Sequence, residues 1–226
     1  MSKGVRVRVS PGAPNCEKGM EYTIIEDCSP YYIRFTWQGL PELIDFIKSQ
    51  PQTGGLTYEV SQYTHCDYAP EVAKSIIERL PMKGDLDFMI NRVALFISHP
   101  SRKAVIHKDG PNHRISVNML LEVHDQCCST HWWADEQLED YKKYTNPYTR
   151  QIADPRPMPT PMKSMVAQPN ECVLFNTDMW HAWDNASPHQ RILLTLRVNN
   201  PGEMYFDDAK RILFGNVAES GLLQQS

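Results

Sequence analysis

From residue 104 onwards, apolar and polar residues alternate with a period of two, in short segments separated by turn residues. This period is typical of strands with one buried face. Gly110-Pro111, Pro169-Asn170 and the stretch from Asn185 to Pro188 separate segments. Seven strands are predicted: AVIHKD (104–109), RISVNMLLEV (114–123), THWWAD (130–135), KSMVAQ (163–168), ECVLFN (171–176), MWHAWD (179–184) and RILLTLRV (191–198). Many short strands of this kind predict a sandwich, jelly roll or barrel.

The first 90 residues and the C-terminus mix helices with strands. Apolar residues recur at helical spacing in two segments, and Tyr, Ile and Thr are enriched in others. Strands are predicted over 19–26, 31–37 and 88–98, and helices over 40–50, 70–80 and 206–215. Residues 146–161 contain five prolines and predict neither a helix nor a central strand. A long excursion of this kind is typical of a functional loop or a poorly ordered insert.

The bulk composition excludes several classes of protein. The net charge is −4, and no run of Lys and Arg favours nucleic-acid binding. No segment resembles a signal peptide or a membrane span. The six cysteines form no CxxC pair, which indicates reduced thiols in a cytoplasmic compartment.

His107 and Asp109 stand two residues apart at the end of a predicted strand, so their side chains share one face. Two histidines and one carboxylate on a single face form the metal site of non-haem Fe(II) oxygenases. A later strand has to supply the second histidine, and His181, between Trp180 and Trp183, is the candidate. The sequence therefore predicts a metal site made by His107, Asp109 and His181.

Arg191 opens the last strand of the series, ten residues after His181. Its planar guanidinium suits the capture of a carboxylate on a ligand of the metal. Arg114 and Asn118 share the polar face of another predicted strand and are candidates to contact the same ligand. Arg197 lies on the same strand face as Arg191 and is a second choice for the anchor.

Other polar sets compete with this one. His65 and Asp67 are also two apart, but Asp67 is predicted to lie at the start of the helix that Pro70 opens. Cys127, Cys128 and His131 suggest zinc, but no second pair with zinc-site spacing accompanies them. Both sets are therefore ranked below His107, Asp109 and His181.

The stretches IHKDGPNHRISVNMLL and ECVLFNTDMWHAWDNASPHQRILLTLRV resemble the 2-oxoglutarate/Fe(II)-dependent oxygenases, and within them the aspartyl/asparaginyl β-hydroxylase-like branch. The resemblance covers about residues 92 to 199. Some hydroxylases of this branch have Gly at the position of Asp109, whereas this chain retains the carboxylate. The complete set of ligands favours metal binding and weakens the transfer of that branch's substrate.

The resemblance implies a mainly β fold: a double-stranded β-helix (jelly roll, cupin-like) with an N-terminal α+β elaboration. We expect one domain over residues 1–226, with the elaboration at about 1–90, the catalytic core at 91–199, and a C-terminal helix and tail at 200–226. Fe(II) is expected on the triad and the far carboxylate of 2-oxoglutarate on Arg191. Shielding of the site is expected from Phe175, Trp180, Trp183 and Leu193.

The implied activity is a dioxygenase that uses O2 and 2-oxoglutarate and leaves succinate and CO2. Its substrate is expected to be an Asp, Asn or Pro side chain of a peptide, or a small molecule. The alternative is a non-catalytic, cupin-like metal-binding module, which does not need a buried arginine at position 191. A zinc hydrolase ranks last, because no general base stands beside the triad.

Overall fold

The computed structural model describes residues 5–8, 21–51, 54–110, 113–123, 125–199 and 204–215. The predicted tail after residue 215 lies outside these ranges. Thirteen strands occur in the described part: β1 (Val5–Arg8), β2 (Glu21–Cys28), β3 (Tyr32–Trp37), β4 (Gly54–Glu59), β5 (Tyr63–Tyr68), β6 (Phe88–Ser98), β7 (Arg102–Lys103), β8 (Ile115–Glu122), β9 (Cys128–Trp133), β10 (Lys163–Val166), β11 (Cys172–Asn176), β12 (Trp180–Asn185) and β13 (Arg191–Val198). Four helices accompany them: α1 (Leu40–Ser49), α2 (Pro70–Ile77), α3 (Glu139–Lys142) and α4 (Phe206–Phe214).

The strands form two antiparallel sheets. The large sheet has nine strands in the order β1-β2-β3-β11-β8-β13-β6-β5-β4, and the small sheet has four in the order β10-β9-β12-β7. Neighbouring strands in the large sheet come from distant parts of the chain, so the N-terminal strands flank the later ones on both sides. The mainly β class is therefore confirmed, and the domain boundaries stay a prediction.

The two faces of the large sheet have different partners. On one face, Val117, Leu194 and Leu196 belong to the main core, together with Leu43 of α1 and Phe214 of α4. On the other face, Leu120 and Phe175 pack with Trp132 and Met165 of the small sheet. Because side chains alternate along a strand, this arrangement explains the period of two in the sequence.

Local chemistry sets the ends of the helices. Pro41 and Pro70 lie in the first turns of α1 and α2, where a missing N–H costs no hydrogen bond. The carboxylate of Asp208 accepts a hydrogen bond from the backbone amide of Tyr205 at 3.0 Å and caps the start of α4. Gly215 follows α4 with a positive φ of 71°. No helix among the described residues is long and apolar enough to cross a membrane.

Most predicted elements lie within a few residues of their expected ends, and the main exception is at the metal site. The segment 104–109 was predicted as a strand, but only Arg102–Lys103 pairs as one. Residues 104–106 and 108–110 have no regular structure, and His107 makes isolated bridges. Residues 146–161 form neither helix nor strand, as their prolines predicted.

Candidate metal centre

Three side chains converge at one end of the space between the two sheets. One ligand atom each from His107, Asp109 and His181 lies within 4.8 Å of the others. Nε2 of His107 is 3.9 Å from Oδ1 of Asp109, and the two imidazole centroids are 4.3 Å apart. Within the described ranges, no other three His, Cys, Asp or Glu side chains come this close together.

The backbone holds the two histidines in register. The amide of His107 donates to the carbonyl of His181 at 3.0 Å, and the amide of His181 donates back at 2.9 Å. His107 also bridges to Gln151, so the proline-rich segment supports it from the other side. The amide of Asp109 donates to the carbonyl of Thr177 at 3.0 Å, which fixes the third candidate ligand against the segment between β11 and β12.

Hydrogen bonds also fix which imidazole nitrogen faces the site. Nδ1 of His107 is 2.9 Å from the carbonyl of Val105, and Nδ1 of His181 is 2.8 Å from the carbonyl of Met179. A carbonyl only accepts, so both Nδ1 atoms carry the proton. Both Nε2 atoms therefore present a lone pair, which is the form of histidine that binds a metal.

Asp109 has two arginine partners. Arg197 on β13 donates to its carboxylate, and Arg150 donates to its backbone carbonyl. Burial acts to raise the pKa of Asp109, but the charge of Arg197 and then the two histidines outweigh it and lower the pKa to about 2. Asp109 is therefore a carboxylate at neutral pH, as a metal ligand must be.

His181 is the most buried of the three side chains, with 6% of its surface exposed. Burial, and after it the charge of His107, lower the pKa of His181 to about 3. The neutral imidazole is therefore the stable form in the folded protein over the whole range above pH 3.

A cavity of about 590 Å³ extends from the three ligands into the space between the sheets. Its walls come from both sheets and from the loop that carries Arg150. A volume of this size is ordinary for a cofactor or small-molecule site. Phe175, Trp183 and Leu193 line the cavity, as expected from the sequence.

Arg191 lies on the cavity wall at the start of β13 and is 3% exposed. Arg197, Thr195 and Leu193 continue the same strand face towards Asp109. Nε of Arg191 is buried and has no hydrogen-bond partner among the described residues. Burial lowers the pKa of Arg191 to about 10, so the side chain remains a cation at neutral pH. A buried cation with an unsatisfied donor is costly unless a ligand completes it.

The two other predicted contacts to the ligand of the metal have different positions. Asn118 on β8 lines the cavity, and its Oδ1 is buried without a hydrogen-bond partner. Arg114 does not line the cavity, so its prediction is corrected. It precedes β8, where the strand alternation no longer applies, and its guanidinium lies 4.5 Å from the ring centroid of Tyr205, outside the sheets.

Two further expectations are corrected by contacts of the side chains. Trp180 does not line the cavity, because its indole packs with Ile106 and Leu138 and its Nε1 donates to Asp135 at 2.8 Å. Asp67 does not start α2 but lies in β5, where Oδ1 is 2.9 Å from Nε2 of His65.

The cysteine set is also explained without a metal. The thiol of Cys128 lies 2.8 Å from Oδ1 of Asn185, and Nδ1 of His131 lies 2.7 Å from the hydroxyl of Ser164. These contacts point the side chains to different partners. The five cysteines in the described part of the chain are all free thiols.

Sequence reasoning missed Arg150 and Arg92 as part of the site. Arg150 lies in the proline-rich segment, where no periodicity assigns a direction to a side chain. Arg92 faces the cavity from β6, a strand that was predicted without being connected to the metal site. The one available signal was the alternation in β6, where Val93 and Leu95 belong to the core and Arg92 and Phe96 face the other way.

Neither a protein-family model nor a curated protein sequence matches the chain. Among solved structures, HygX from Streptomyces hygroscopicus, with nickel and 2-oxoglutarate bound, has a TM-score of 0.51 at 8% identity, covering 75% of this chain and 83% of that chain. The non-haem, α-ketoglutarate-dependent epimerase SnoN from nogalamycin biosynthesis has a TM-score of 0.47 at 10% identity, covering 78% and 83%. The likeness to HygX concerns the fold, and it confirms the predicted jelly-roll class.

Proposed function

We propose that this protein is an Fe(II)- and 2-oxoglutarate-dependent dioxygenase that hydroxylates its substrate. The observation that carries the proposal is Arg191, a buried cation with an unpartnered Nε, which lines the same cavity as the three candidate metal ligands. A metal-binding module without catalysis has no use for this arginine. The cavity therefore favours the enzyme over the cupin-like alternative.

The proposed metal ligands are His107, Asp109 and His181. Two Nε2 lone pairs and one carboxylate, all approaching from one side, suit Fe(II) and leave positions for small ligands on the other side. The donors fit the ion without a change of protonation, because both Nδ1 protons are already held by carbonyl groups.

The proposed site for 2-oxoglutarate extends from the metal ligands towards Arg191. The guanidinium would bind the far carboxylate, and Asn118 would bind a polar atom of the same molecule. Arg114 is not part of this proposal, since it lies outside the cavity. When bound, Fe(II) and 2-oxoglutarate supply O2-dependent oxidation of a substrate C–H bond, with succinate and CO2 as co-products.

The remaining residues would orient ligands and exclude water. Arg197 would hold the carboxylate of Asp109 in its charged form, and Arg150 would fix its backbone through the carbonyl. Phe175 contacts the ring of His181 edge-on at 5.1 Å and covers it from the large sheet. Such walls keep solvent away from the metal centre.

The proposed substrate is a peptide side chain of the Asp, Asn or Pro type, or a small molecule. The β-hydroxylase-like motifs around His107 and His181 suggest the peptide reading, but the carboxylate at Asp109 weakens that transfer and leaves the small molecule open. A cytoplasmic location remains part of the proposal, and the free cysteines support it. No nucleic-acid or membrane partner is proposed for a chain with a net charge of −4.

Conversion of 2-oxoglutarate tests the proposal. Protein loaded with Fe(II) is given 2-oxoglutarate in air, with and without a peptide mixture rich in Asp, Asn and Pro, and succinate is quantified. We expect succinate from the wild type and from Asp140→Ala, an exposed control on α3, and none above background from Asp109→Ala. Iron binding with neither succinate formation nor binding of 2-oxoglutarate contradicts the enzyme and favours the metal-binding module.

A further inference from the structure

We propose that the substrate is a small organic acid with a ring or apolar body, bound beside the metal centre by Arg92 and Arg150. This inference rests on the proposed function, because it assigns the occupant of the cavity that remains beside 2-oxoglutarate. It is carried by the charges on the cavity wall, the conformation of Arg150 and an aromatic cluster.

The cavity carries more positive than negative charge. Its basic lining residues are Arg92, Lys108, Arg150, Arg191 and Arg197. Its acidic lining residues are Asp109 and Glu171. Fe(II) and 2-oxoglutarate have opposite charges of two and leave this imbalance unchanged. The whole chain is acidic, so the positive charge is local to the cavity.

Neighbouring groups reduce the excess without removing it. Asp135 contacts Lys108 at 3.1 Å and offsets its charge, whereas Arg34 pairs with Glu171 at 2.6 Å and removes that negative charge from the balance. Asp178 is 4.0 Å from the guanidinium of Arg150, at the limit of an ion pair. An anionic substrate would complete the balance, whereas a cationic one would be repelled.

Arg150 is held in place by an unusual backbone. Its φ is 54°, in the left-handed region that residues other than glycine rarely occupy. The amide of Arg150 donates to Asn146 at 2.8 Å, and its carbonyl accepts from Lys108 at 3.3 Å. These bonds hold the strained conformation, which aims the guanidinium at the backbone of Asp109. Strain that the surrounding structure maintains in this way is found at functional sites.

Arg92 lines the cavity from β6 of the large sheet. Leu196 of β13 pairs with Val93 of β6, so Arg197 and Arg92 occupy neighbouring strands. Arg197 is used by Asp109, but no described carboxylate lies within ion-pair distance of Arg92. Its exposed guanidinium remains available to a ligand that enters the cavity.

An aromatic wall lies along the same side of the cavity. Tyr63 and Phe96 stack with centroids 4.5 Å apart, and Trp183 meets Phe96 edge-on at 5.7 Å. All three line the cavity, and Val60 and Val105 add exposed apolar surface beside them. Trp183 is two residues after His181 on one strand face, so this wall starts at the metal centre. A ring or apolar body fits such a surface.

The test uses matched probes that share one apolar body and differ in the end group, which is anionic, neutral or cationic. The protein is loaded with Zn(II) and saturating 2-oxoglutarate, so that no turnover occurs and Arg191 is occupied. Binding of 3-phenylpropionate, 3-phenyl-1-propanol and 3-phenylpropylamine is measured by ligand-observed NMR, with indole and cyclohexyl sets of the same design. Variants are Arg92→Gln, Arg150→Gln and the surface control Lys74→Gln.

We expect each acid to bind at least about tenfold more tightly than its alcohol and its amine. Arg92→Gln and Arg150→Gln should each weaken the acids by about tenfold, and Lys74→Gln should have no effect. Phe96→Leu should reduce the preference for 3-phenylpropionate over butyrate. Acids that bind no better than their alcohols and amines, or that bind to both arginine variants as tightly as to the wild type, overturn the inference.

Binding of 2-oxoglutarate to the same sample is measured first, so that the two proposals can fail separately. Its absence contradicts the proposed function. Its presence without a preference for acids contradicts the substrate class alone. If Arg150→Gln disturbs the turn and fails to fold, Arg92→Gln decides, since Arg92 is exposed on β6.

Discussion

The backbones of His107 and His181 exchange two hydrogen bonds, with N···O distances of 3.0 and 2.9 Å, although the residues are 74 positions apart in the chain. Their register is therefore set by the main chain, and the imidazoles are free to serve as ligands. Carbonyl groups accept hydrogen bonds from both Nδ1 atoms. Each Nε2 therefore faces the site before any metal binds.

Removing the imidazole of His107 should therefore abolish metal binding and leave the fold intact. We expect His107→Ala to lower the affinity for Fe(II) or Ni(II) by more than about 100-fold. The unfolding free energy of the metal-free protein should change by less than about 1 kcal/mol, because the side chain is partly exposed and the backbone pair remains. His131→Ala, with the same change of side chain on β9, is the control. Isothermal titration and urea unfolding check both numbers, and equal metal affinity in the two variants would contradict the assignment.

Arg191 should destabilise the metal-free protein but strengthen the binding of 2-oxoglutarate. In Arg191→Met, the affinity of the metal-loaded protein for 2-oxoglutarate should fall by at least about 100-fold. The metal-free variant should be more stable than the wild type by about 1–3 kcal/mol, since it no longer buries a cation with an unpartnered donor. Exposed Arg211→Met on α4 should change neither quantity. A destabilised metal-free variant would mean that Arg191 has a structural role.

The low pKa of His181 predicts how the stability of the metal-free protein depends on pH. Unfolded histidine binds a proton below about pH 6.5, whereas folded His181 stays neutral down to about pH 3. The unfolded state therefore binds more protons in this window, and stability should fall as pH falls. From pH 7.5 to pH 5, His181 should account for a loss of about 2 kcal/mol. Urea unfolding of the wild type and of His181→Gln at several pH values measures this loss. The unfolding free energy of the variant should depend less steeply on pH. An equal dependence in the two proteins would contradict the low pKa of His181.

Two adjacent leucines of β13 test the alternation of its faces. Leu194 is fully buried in the main core, while Leu193 is partly buried and lines the cavity. We expect Leu194→Ala to lower the unfolding free energy by about 2–5 kcal/mol, and Leu193→Ala by about 1 kcal/mol. Thermal and urea unfolding compare the two variants directly. A larger loss for Leu193→Ala would mean that the strand register is wrong by one residue.

The strands could be predicted from the sequence because their burial is one-sided. β13 begins at Arg191 and ends at Val198, as predicted, and β6 also has its predicted ends. The alternation of apolar and polar residues identifies which face of a strand is buried. It does not identify which helix or sheet covers that face. The pairing of β3 with β11, more than 130 residues later in the chain, depends on the whole fold and leaves no local pattern.

The convergence of His107, Asp109 and His181 could be predicted from the two-residue spacing of the first pair and from a histidine on a later strand, although the segment that holds His107 and Asp109 is not a strand. The rest of the site could not. Arg114 was assigned by extending strand alternation one residue beyond β8, where it does not apply. Arg150 reaches Asp109 from an irregular loop, and only a three-dimensional structure shows such a contact.

The proposed binding of 2-oxoglutarate to Fe(II) is tested most directly by the visible spectrum of the protein with both ligands in the absence of oxygen. We expect a weak charge-transfer band, which appears when 2-oxoglutarate chelates Fe(II). The band should be absent from His107→Ala and should require a much higher concentration of 2-oxoglutarate in Arg191→Met. Iron binding by the wild type without this band at any concentration of 2-oxoglutarate would contradict the proposal that the protein is a 2-oxoglutarate-dependent dioxygenase.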